Sequence, residues 1–294
     1  MIQVAVVSGK GGTGKTMLTA SCAALIHGNK VLIDADVDAA NLALLLDPED
    51  LTTEEFFGMD VAVINQDKCN NCGYCEGTCV FNAIQIKGDY PSVISYRCEG
   101  CGTCLLVCPE DAIKMKPGIS GTIHTAKTRD GPLVYGSLTP GSGNSGLLVH
   151  CLRQKAGKMY PDASLILIDG PPGIGCPLIS TITGVQIAII VTEPSRSALH
   201  DLMRLITTCR SLKTGMCLVV NRYDLCPDIT SEIIKRAGME NVPVIGRIPY
   251  DPMVVTSIRK GIPVVYNEGK ASEAIHEMVE NLISELKIYG TTNR

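Results

Sequence analysis

The chain has 294 residues, a hydrophobic content of 45% and a formal net charge of −4. This length allows one large α/β domain and a small second unit, and the mild charge excludes the strongly basic surface of a dedicated nucleic-acid-binding protein. No stretch approaches the ~20 uninterrupted apolar residues of a membrane span, and the N-terminus enters an apolar strand without the basic segment of a signal peptide. We therefore expect a cytoplasmic protein with no membrane or nucleic-acid partner.

The N-terminal segment has the pattern of a strand, a glycine-rich loop, a helix and a second strand. The predicted strands, residues 3–8 and 30–36, are apolar runs, as expected where a parallel sheet is covered on both faces. The loop between them reads GKGGTGKT and fits the phosphate-loop pattern G-x-x-x-x-G-K-[ST] in the strand-to-helix context that this pattern requires. The alternative, a glycine-rich turn without a ligand, leaves the complete match unexplained.

This loop is predicted to hold the phosphates of a nucleotide, because backbone N–H groups at the start of a helix attract phosphate. In such loops the lysine reaches the β- and γ-phosphates and the next hydroxyl holds Mg²⁺, roles that fall here to Lys15 and Thr16. The predicted nucleotide-binding residues of the loop are Gly9, Gly11, Gly12, Thr13, Gly14, Lys15 and Thr16.

Acidic side chains follow two of the predicted strands. Asp34, Asp36 and Asp38 come after the second strand, and Asp169 closes the apolar run LILID. Carboxylates at the ends of buried strands lie beside a phosphate loop, so Asp34 and Asp169 are predicted to complete the Mg²⁺ site with Thr16. Asp36 is predicted to order the attacking water, and Asp38 to cap the following helix. The alternative for each is an ordinary loop residue.

Between about Asp60 and Lys116 the alternation of strands and helices stops, and cysteine and glycine dominate. Eight of the 14 cysteines lie between Cys69 and Cys108. The cytosol keeps thiols reduced, so this clustering favours metal ligation over disulfides. Two runs with the spacing C-x2-C-x2-C-x3-C begin at Cys69 and Cys98, 29 residues apart, and form a weak internal repeat.

The spacing of these runs is typical of bacterial proteins with two [4Fe–4S] clusters, in which the fourth cysteine of each run ligates the other cluster. Val80 replaces the proline expected after the first run, whereas the ligands themselves are intact. Zinc is the alternative, but zinc sites usually use paired C-x2-C knuckles. The predicted ligands are Cys69, Cys72, Cys75 and Cys108 for the first cluster, and Cys98, Cys101, Cys104 and Cys79 for the second.

The remainder of the chain returns to the alternating pattern. Four buried strands are predicted at residues 164–170, 185–193, 215–221 and 243–249, with helices between them, which favours a doubly wound, mostly parallel α/β sheet. Residues 121–146 are rich in Gly, Ser and Thr and are expected to form loop and edge structure. The last helix, residues 271–289, is amphipathic with a glutamate-rich polar face, so it is predicted to pack on the sheet and not on a membrane.

Lys10 gives the phosphate loop a second lysine, and this arrangement resembles the deviant loop of the MinD/ParA/Mrp superfamily of P-loop ATPases, which includes the nitrogenase iron protein. The resemblance implies a homodimer formed on ATP binding, in which Lys10 touches the partner's phosphates. It also implies that Asn221 reads the base and that Pro249 and Tyr250 flank the adenine.

The whole chain resembles the members of that superfamily that carry an inserted ferredoxin domain. The implied organisation is a discontinuous P-loop ATPase domain, residues 1–59 and 118–294, and a small α+β ferredoxin-like insertion, residues 60–117. The implied cofactors are ATP, Mg²⁺ and two [4Fe–4S] clusters.

Two functions remain open from the sequence. One is ATP-gated electron transfer to an unidentified redox partner, and the other is assembly of an iron–sulfur cluster or another metallocofactor on a partner protein. The late cysteines Cys209, Cys217 and Cys226 lack the C-x2-C spacing of Mrp-like cluster carriers, which disfavours a carrier of that type. Cys176, in the run DGPPGIGCP, is predicted to be a buried small residue. Positioning on a membrane or on DNA is disfavoured by the acidic last helix.

Overall fold

A computed structural model describes residues 1–88 and 90–292. Its strands are β1 (Ile2–Ser8), β2 (Lys30–Asp34), β3 (Glu49–Ile64), β4 (Ile84–Lys87), β5 (Tyr90–Val93), β6 (Ile113–Lys127), β7 (Leu133–Leu138), β8 (Leu165–Pro172), β9 (Ile187–Thr192), β10 (Gly215–Asn221) and β11 (Val244–Ile248). Its helices are α1 (Lys15–Leu25), α2 (Ala43–Leu46), α3 (Tyr74–Thr78), α4 (Thr103–Leu106), α5 (Ser145–Met159), α6 (Cys176–Ile182), α7 (Arg196–Ser211), α8 (Pro227–Met239), α9 (Pro252–Arg259) and α10 (Lys270–Thr292).

Nine strands form one sheet in the order β11-β10-β9-β1-β8-β2-β7-β6-β3. The seven strands from β11 to β7 are parallel, which confirms the prediction of a mostly parallel α/β sheet. Strands β2 and β9 lie on opposite sides of β1, so the sheet has a topological switch point at the carboxyl end of β1. Open α/β sheets bind their ligands at such points.

Helices cover both faces of the sheet and bury two separate hydrophobic clusters. Apolar residues of α5, α6, α7 and α8 pack on one face, and those of α1, α2 and α10 pack on the other. In α10, Ile275, Met278 and Leu282 are fully buried, which confirms that this helix packs on the sheet. Within the described part of the chain, no helix is both long enough and apolar enough to cross a membrane.

The structure differs from prediction at the far edge of the sheet. Residues 121–146 were expected to be loop and edge structure, yet they contain the end of β6 and all of β7. β6 pairs antiparallel with β7 and with β3, and β3 and β6 together form a two-stranded ribbon. Most of β3 is exposed, so its residues lack the apolar pattern from which a strand is recognised in the sequence.

The cysteine-rich segment lies at the end of this ribbon. Beyond the pair Ile64–Ile113, residues 65–88 and 90–112 form the short helices α3 and α4 and the strand pair β4–β5, around a small core that includes Ile84, Cys75 and Cys104. Asp60 and Pro117, the predicted first and last residues of the insertion, are paired with each other on β3 and β6. The predicted boundaries therefore lie at the same position along the ribbon. These boundaries and the ferredoxin-like fold of the insertion stay predictions.

Candidate functional site

The phosphate loop connects β1 to α1 at the switch point of the sheet. Gly12 and Gly14 have φ values of +77° and +97°, a left-handed conformation that glycine adopts without steric cost. The Lys15 side chain is buried, and burial lowers its pKa, while Asp169, Asp36 and Asp34 act in the opposite direction. The loop is therefore a compact turn that ends in a buried lysine at the start of a helix, and this arrangement binds phosphate.

A pocket opens in front of this loop. Its walls combine the loop with residues from α1, α2 and α9, from the end of β8, and from the segments that follow β2 and β10. The lining residues include Gly11, Gly12, Gly14, Lys15, Thr16, Asp36, Asn41, Pro172, Arg222 and Ile258. Arg222 and Asn41 were not predicted from the sequence, because neither residue belongs to a recognisable sequence motif.

Asn221 holds the phosphate loop from the end of β10. Its Nδ2 donates to the carbonyl oxygen of Thr13 at 2.8 Å, and its Oδ1 accepts from the Arg222 backbone N–H at 3.0 Å. A Cβ atom on Gly14 would lie only 2.5 Å from that Nδ2, so a side chain at Gly14 is incompatible with this contact. The base-reading role of Asn221 stays a prediction.

Asp34 and Asp169 are neighbours in register on β2 and β8, and both are buried. Both oxygens of Asp34 accept backbone N–H groups: Oδ1 from Asp36 at 3.0 Å and Oδ2 from Leu42 at 2.9 Å. Burial, followed by the adjacent Asp169, raises the pKa of Asp34 well above its usual range. Asp34 therefore attaches the loop that contains Asp36 to the end of β2. Its place beside Mg²⁺ stays a prediction.

Asp169 is placed differently. Its Oδ1 accepts from the Thr19 hydroxyl at 3.0 Å, while its buried Oδ2 has no hydrogen-bond partner among the described residues. Burial raises the pKa of Asp169 to about 6, and the nearby Thr16 hydroxyl and Lys15 oppose that rise. A buried oxygen without a donor is costly, and a bound cation is one physical reason for it.

Asp36 lines the pocket beside the loop, and burial raises its pKa while Lys15 lowers it. The structure thus brings Asp36 to the phosphate end of the pocket. Asp38, in contrast, does not cap the next helix: α2 begins only at Ala43, after Leu42, and has no side-chain cap. That prediction was wrong because residues 35–42 form a turn held by Asp34 before the helix begins.

Lys10 is held by its own chain. Its Nζ lies 2.7 Å from Glu193 Oε1 and 3.0 Å from Ser195 Oγ, at the end of β9 and the start of α7. The other Glu193 oxygen lies 3.3 Å from Arg222 of the nucleotide pocket. Glu193 was not predicted from the sequence because it is 183 residues away from Lys10 and ends a strand as many acids do.

Pro249 and Tyr250 line a different groove, at the β11 edge of the sheet and beside α10. The Tyr250 backbone N–H donates to Asp224 Oδ1 at 2.7 Å, and its ring is about half exposed. The structure does not bring these two residues into the pocket that contains Lys15. Their contact with adenine stays a prediction.

The eight clustered cysteines line two separate cavities, four in each. Cys69, Cys72, Cys75 and Cys108 surround one, and Cys79, Cys98, Cys101 and Cys104 surround the other. Each cavity thus takes one cysteine from the opposite run. All 14 cysteines of the chain are free thiols.

Backbone N–H groups point at three of these sulfurs. The N–H of Ala83 donates to Cys79 Sγ at 3.3 Å, and that of Ala112 donates to Cys108 Sγ at 3.3 Å. The two bonds are related by the 29-residue offset of the sequence repeat. The Ala62 N–H donates to Cys98 Sγ at 3.4 Å. These bonds favour sulfur atoms that carry negative charge.

In the described residues, no three His, Cys, Asp or Glu side chains converge closely enough to hold a single metal ion. Cys176 is exposed at the first position of α6, so the prediction that it is buried was wrong. A cysteine at the first position of a helix that follows a glycine-rich loop projects to the surface, although the residues around it in the sequence are small and apolar.

The sheet, the phosphate loop and the acids at the strand ends define a P-loop nucleotide-binding α/β protein. Residues 4–264 match the profile of the CobQ/CobB/MinD/ParA nucleotide binding domain, also described as CbiA. That match covers most of the chain, and the protein therefore belongs to this family.

Relatives and solved structures agree with this assignment. An uncharacterized protein of Methanocaldococcus jannaschii is 37% identical over 288 residues, which cover 96% of each chain. An iron-sulfur cluster carrier protein of Pyrococcus abyssi is 26% identical and covers 97% of this chain and 86% of its own length. The septum site-determining protein MinD of Pyrococcus horikoshii, solved with Mg-ADP, shares the fold with a TM-score of 0.58 at 19% identity, over 98% of both chains.

Proposed function

We propose that this protein is a Mg²⁺-dependent ATPase that dimerises around ATP and uses two [4Fe–4S] clusters for ATP-gated electron transfer to a partner protein. The observation that carries the proposal is the division of eight cysteines between two cavities, with one cysteine of each run on the opposite side. This division is the one expected of a two-cluster ferredoxin. It occurs on a chain whose other part is a nucleotide-binding domain.

The residues around the phosphate loop fit ATP and Mg²⁺. Lys15 would contact the β- and γ-phosphates, and Thr16 and the unpaired oxygen of Asp169 would hold Mg²⁺, which would neutralise phosphate charge. Asp36 orients a water for attack from the same pocket. These roles use buried groups, Lys15 and Asp169, together with the partly buried Thr16 and Asp36, and charged groups positioned around the phosphates are how phosphoryl transfer is catalysed in this class of site.

Lys10 supplies the dimer-dependent part of the mechanism. In the single chain its charge is paired with Glu193, and the Ser195 and Ser197 hydroxyls accept its remaining N–H groups. Exchange of this pairing for the phosphates of a partner subunit links hydrolysis to dimerisation. Because Glu193 also contacts Arg222, the lysine and the nucleotide pocket share one carboxylate.

The cysteine cavities fit iron–sulfur clusters better than single ions. A [4Fe–4S] cluster takes one thiolate per iron, so its four ligands lie farther apart than those of one zinc ion. Each cavity is lined by four cysteines, the number of thiolates that one such cluster takes. The N–H···S bonds stabilise the ligating thiolates, and bound clusters supply one-electron redox chemistry.

Contacts between the insertion and the nucleotide-binding domain support coupling between them. A Cβ atom on Gly141 would lie 3.3 Å from the Tyr96 ring, and one on Gly143 would lie 3.9 Å from the Glu99 carboxylate. Residues 96–99 therefore rest on the loop that leads into α5. The start of α5, at Gly146, in turn packs against Cys176 of α6.

This path connects one particular cavity to the Mg²⁺ site. Helix α6 follows the strand that carries Asp169, and the segment that touches residue 141 leads directly into Cys98. The cavity lined by Cys79, Cys98, Cys101 and Cys104 is therefore the one next to the nucleotide-binding domain. We expect nucleotide-dependent changes to reach this cavity first.

Assembly of an iron–sulfur cluster on another protein is the second candidate function. The observation that favours it is the similarity to relatives named iron-sulfur cluster carrier proteins. The two functions differ in whether the clusters stay on the chain. A relay keeps both clusters through turnover, whereas an assembly factor gives one up.

The test is anaerobic purification followed by iron, sulfide and ATPase measurements. The proposal predicts about eight iron atoms per chain, because each of two clusters contains four, and hydrolysis that requires Mg²⁺. Incubation with ATP and a cluster-free acceptor protein then separates the candidates. Rapid loss of iron to the acceptor contradicts the relay and supports assembly, while absence of iron–sulfur absorption contradicts both.

A further inference from the structure

The Thr19 hydroxyl lies behind the phosphate loop, one turn after Lys15 on α1. Thr19 is fully buried. Its Oγ1 is 3.0 Å from the carbonyl oxygen of Lys15 and also 3.0 Å from Asp169 Oδ1. A hydroxyl has one proton, so it donates to one of these acceptors at a time. The ionised carboxylate is the stronger acceptor.

The bond to Asp169 leaves the two carboxylate oxygens unequal. Oδ1 is engaged by Thr19, while Oδ2 is buried without a hydrogen-bond partner among the described residues. Asp34, its neighbour in register, has both oxygens engaged by backbone N–H groups. Of the two buried carboxylates, Asp169 is therefore the one with an uncommitted oxygen: Thr19 engages the other oxygen, and the Thr16 hydroxyl, a predicted ligand of the same cation, lies close to the carboxylate.

We propose that Thr19 is the positioning residue for the magnesium carboxylate: its hydroxyl holds Asp169 so that Oδ2 faces the cation of the bound nucleotide. The inference rests on the proposed binding of Mg²⁺ and ATP. Thr19 does not line the nucleotide pocket. It contacts the predicted site through two groups, the carboxylate of Asp169 and the carbonyl oxygen of Lys15.

Other buried hydroxyls of the protein show what a purely structural role looks like. Ser21 on the same helix and Thr181 on α6 are both fully buried, and each donates to the carbonyl four residues earlier, at 2.9 and 2.8 Å. Neither has a carboxylate within hydrogen-bond distance in the contacts of the described residues. The additional contact to Asp169 distinguishes Thr19 from these back-bonded hydroxyls.

The test compares ATP binding with and without Mg²⁺, measured by calorimetry on the purified, cluster-loaded protein. Thr19→Val keeps the shape of the side chain and removes the hydroxyl. We expect metal-free ATP binding to be unchanged and the gain in affinity from Mg²⁺ to fall by ~10-fold or more, since a bond to a charged group is lost. Thr19→Ser restores the gain, and Thr181→Val, the matched control, retains it.

Three outcomes overturn the inference: an undiminished Mg²⁺ gain in Thr19→Val, an equal loss of affinity with and without Mg²⁺, or failure of Thr19→Ser to restore the gain. If Thr19→Val does not fold, Thr19→Ala provides the same comparison. Failure of the proposed function is distinguishable, because the wild-type protein then binds no ATP or gains nothing from Mg²⁺. If Mg²⁺ increases ATP affinity equally in the wild type and in Thr19→Val, only the role of Thr19 is contradicted, and the proposed binding of ATP and Mg²⁺ stands.

Discussion

Lys10 and Lys15 occupy one short loop but have different environments. Lys15 is buried against the carboxylates at the strand ends, whereas Lys10 reaches outward to Glu193 and two serines. The loop therefore separates a lysine that is buried beside the strand-end carboxylates from one that is paired with groups at the end of β9 and the start of α7. The two lysines have separate experimental consequences.

Lys15→Ala is expected to abolish ATP hydrolysis and to weaken nucleotide binding, because it removes the cation nearest the phosphates. Lys10→Ala is expected to change the affinity of the single chain for ATP by no more than a few-fold. It is expected to reduce turnover by ~10³-fold or more, the effect on kcat that is typical of a positive charge supplied by a partner subunit. Nucleotide binding, sedimentation with ATP and steady-state hydrolysis measure the three effects. Normal hydrolysis by Lys10→Ala contradicts the cross-dimer role.

At this scale, the residues that the sequence could group together are those in short local patterns. The phosphate loop and the two cysteine runs have fixed spacings, and the structure places Gly9–Thr16 at the switch point and sorts the cysteines four and four. The partner of Lys10 had no such pattern. Glu193 and Thr19 acquire their contacts only when strands and helices distant in sequence pack together.

At the scale of the element, the ribbon of β3 and β6 is the feature that sequence patterns missed. Its two strands are separated by 48 residues that form another unit, and both faces of β3 are largely exposed. Hydrophobic alternation marks a strand only where one face is buried, so the ribbon had no detectable period. The central strands were predictable because they are buried on both faces.

His124 of the ribbon provides a pH-dependent test. Its two ring nitrogens contact the hydroxyls of Thr53 and Thr122 at 2.9 Å, and its ring stacks on Tyr135. Partial burial lowers the pKa of His124 below 6.5, so the unfolded chain binds the proton more readily. Its contribution to stability is therefore complete above pH 6.5 and is lost as the pH falls from 6.5 through the folded-state pKa.

Accordingly, His124→Gln, which keeps a neutral hydrogen-bonding side chain, is expected to flatten this pH dependence. Thermal unfolding of both proteins at pH 7.5 and pH 5.5 measures the effect. The wild type should lose more stability than the variant on acidification. Equal losses would show that His124 does not titrate differently in the two states.

Gly141 tests the contact between the insertion and the nucleotide-binding domain. Gly141→Ala places a methyl group 3.3 Å from the Tyr96 ring and forces a non-glycine residue into φ +83°, a strain of ~1–2 kcal/mol. Gly28→Ala, at φ +112° with no neighbour within 4 Å, carries the strain without the contact. Hydrogen exchange of residues 94–102 should accelerate in Gly141→Ala and stay at the wild-type rate in Gly28→Ala.

At the scale of the whole molecule, the sheet combines two kinds of edge. The β11 side is closed by a parallel strand beneath α10, while the β3 side ends in an antiparallel ribbon that projects beyond the sheet. The nucleotide site lies between these edges at the end of β1. The insertion is thus attached to the domain by the two strands of the ribbon and also contacts it at loop 139–144, so a shift of that loop acts directly on the insertion.

The pairing of cysteines across the two runs is the property that depends on the entire insertion. Cys79 belongs to the first run by sequence, yet it lines the cavity of the second with Cys98 and Cys101. Cys79→Ser should therefore perturb the same cluster as Cys101→Ser, and leave the one held by Cys69 intact. Each variant should retain about four iron atoms per chain, since one of two clusters is lost.

Electron paramagnetic resonance of the reduced proteins decides the assignment, because the surviving signal of Cys79→Ser must match that of Cys101→Ser and differ from that of Cys72→Ser. Cys176→Ser is the control: this thiol is exposed and lines neither cavity, so both clusters should remain. A match between Cys79→Ser and Cys72→Ser contradicts the crossed arrangement. Loss of iron in Cys176→Ser contradicts the assignment of all ligands to the insertion, because it requires a cluster bound at the nucleotide-binding domain.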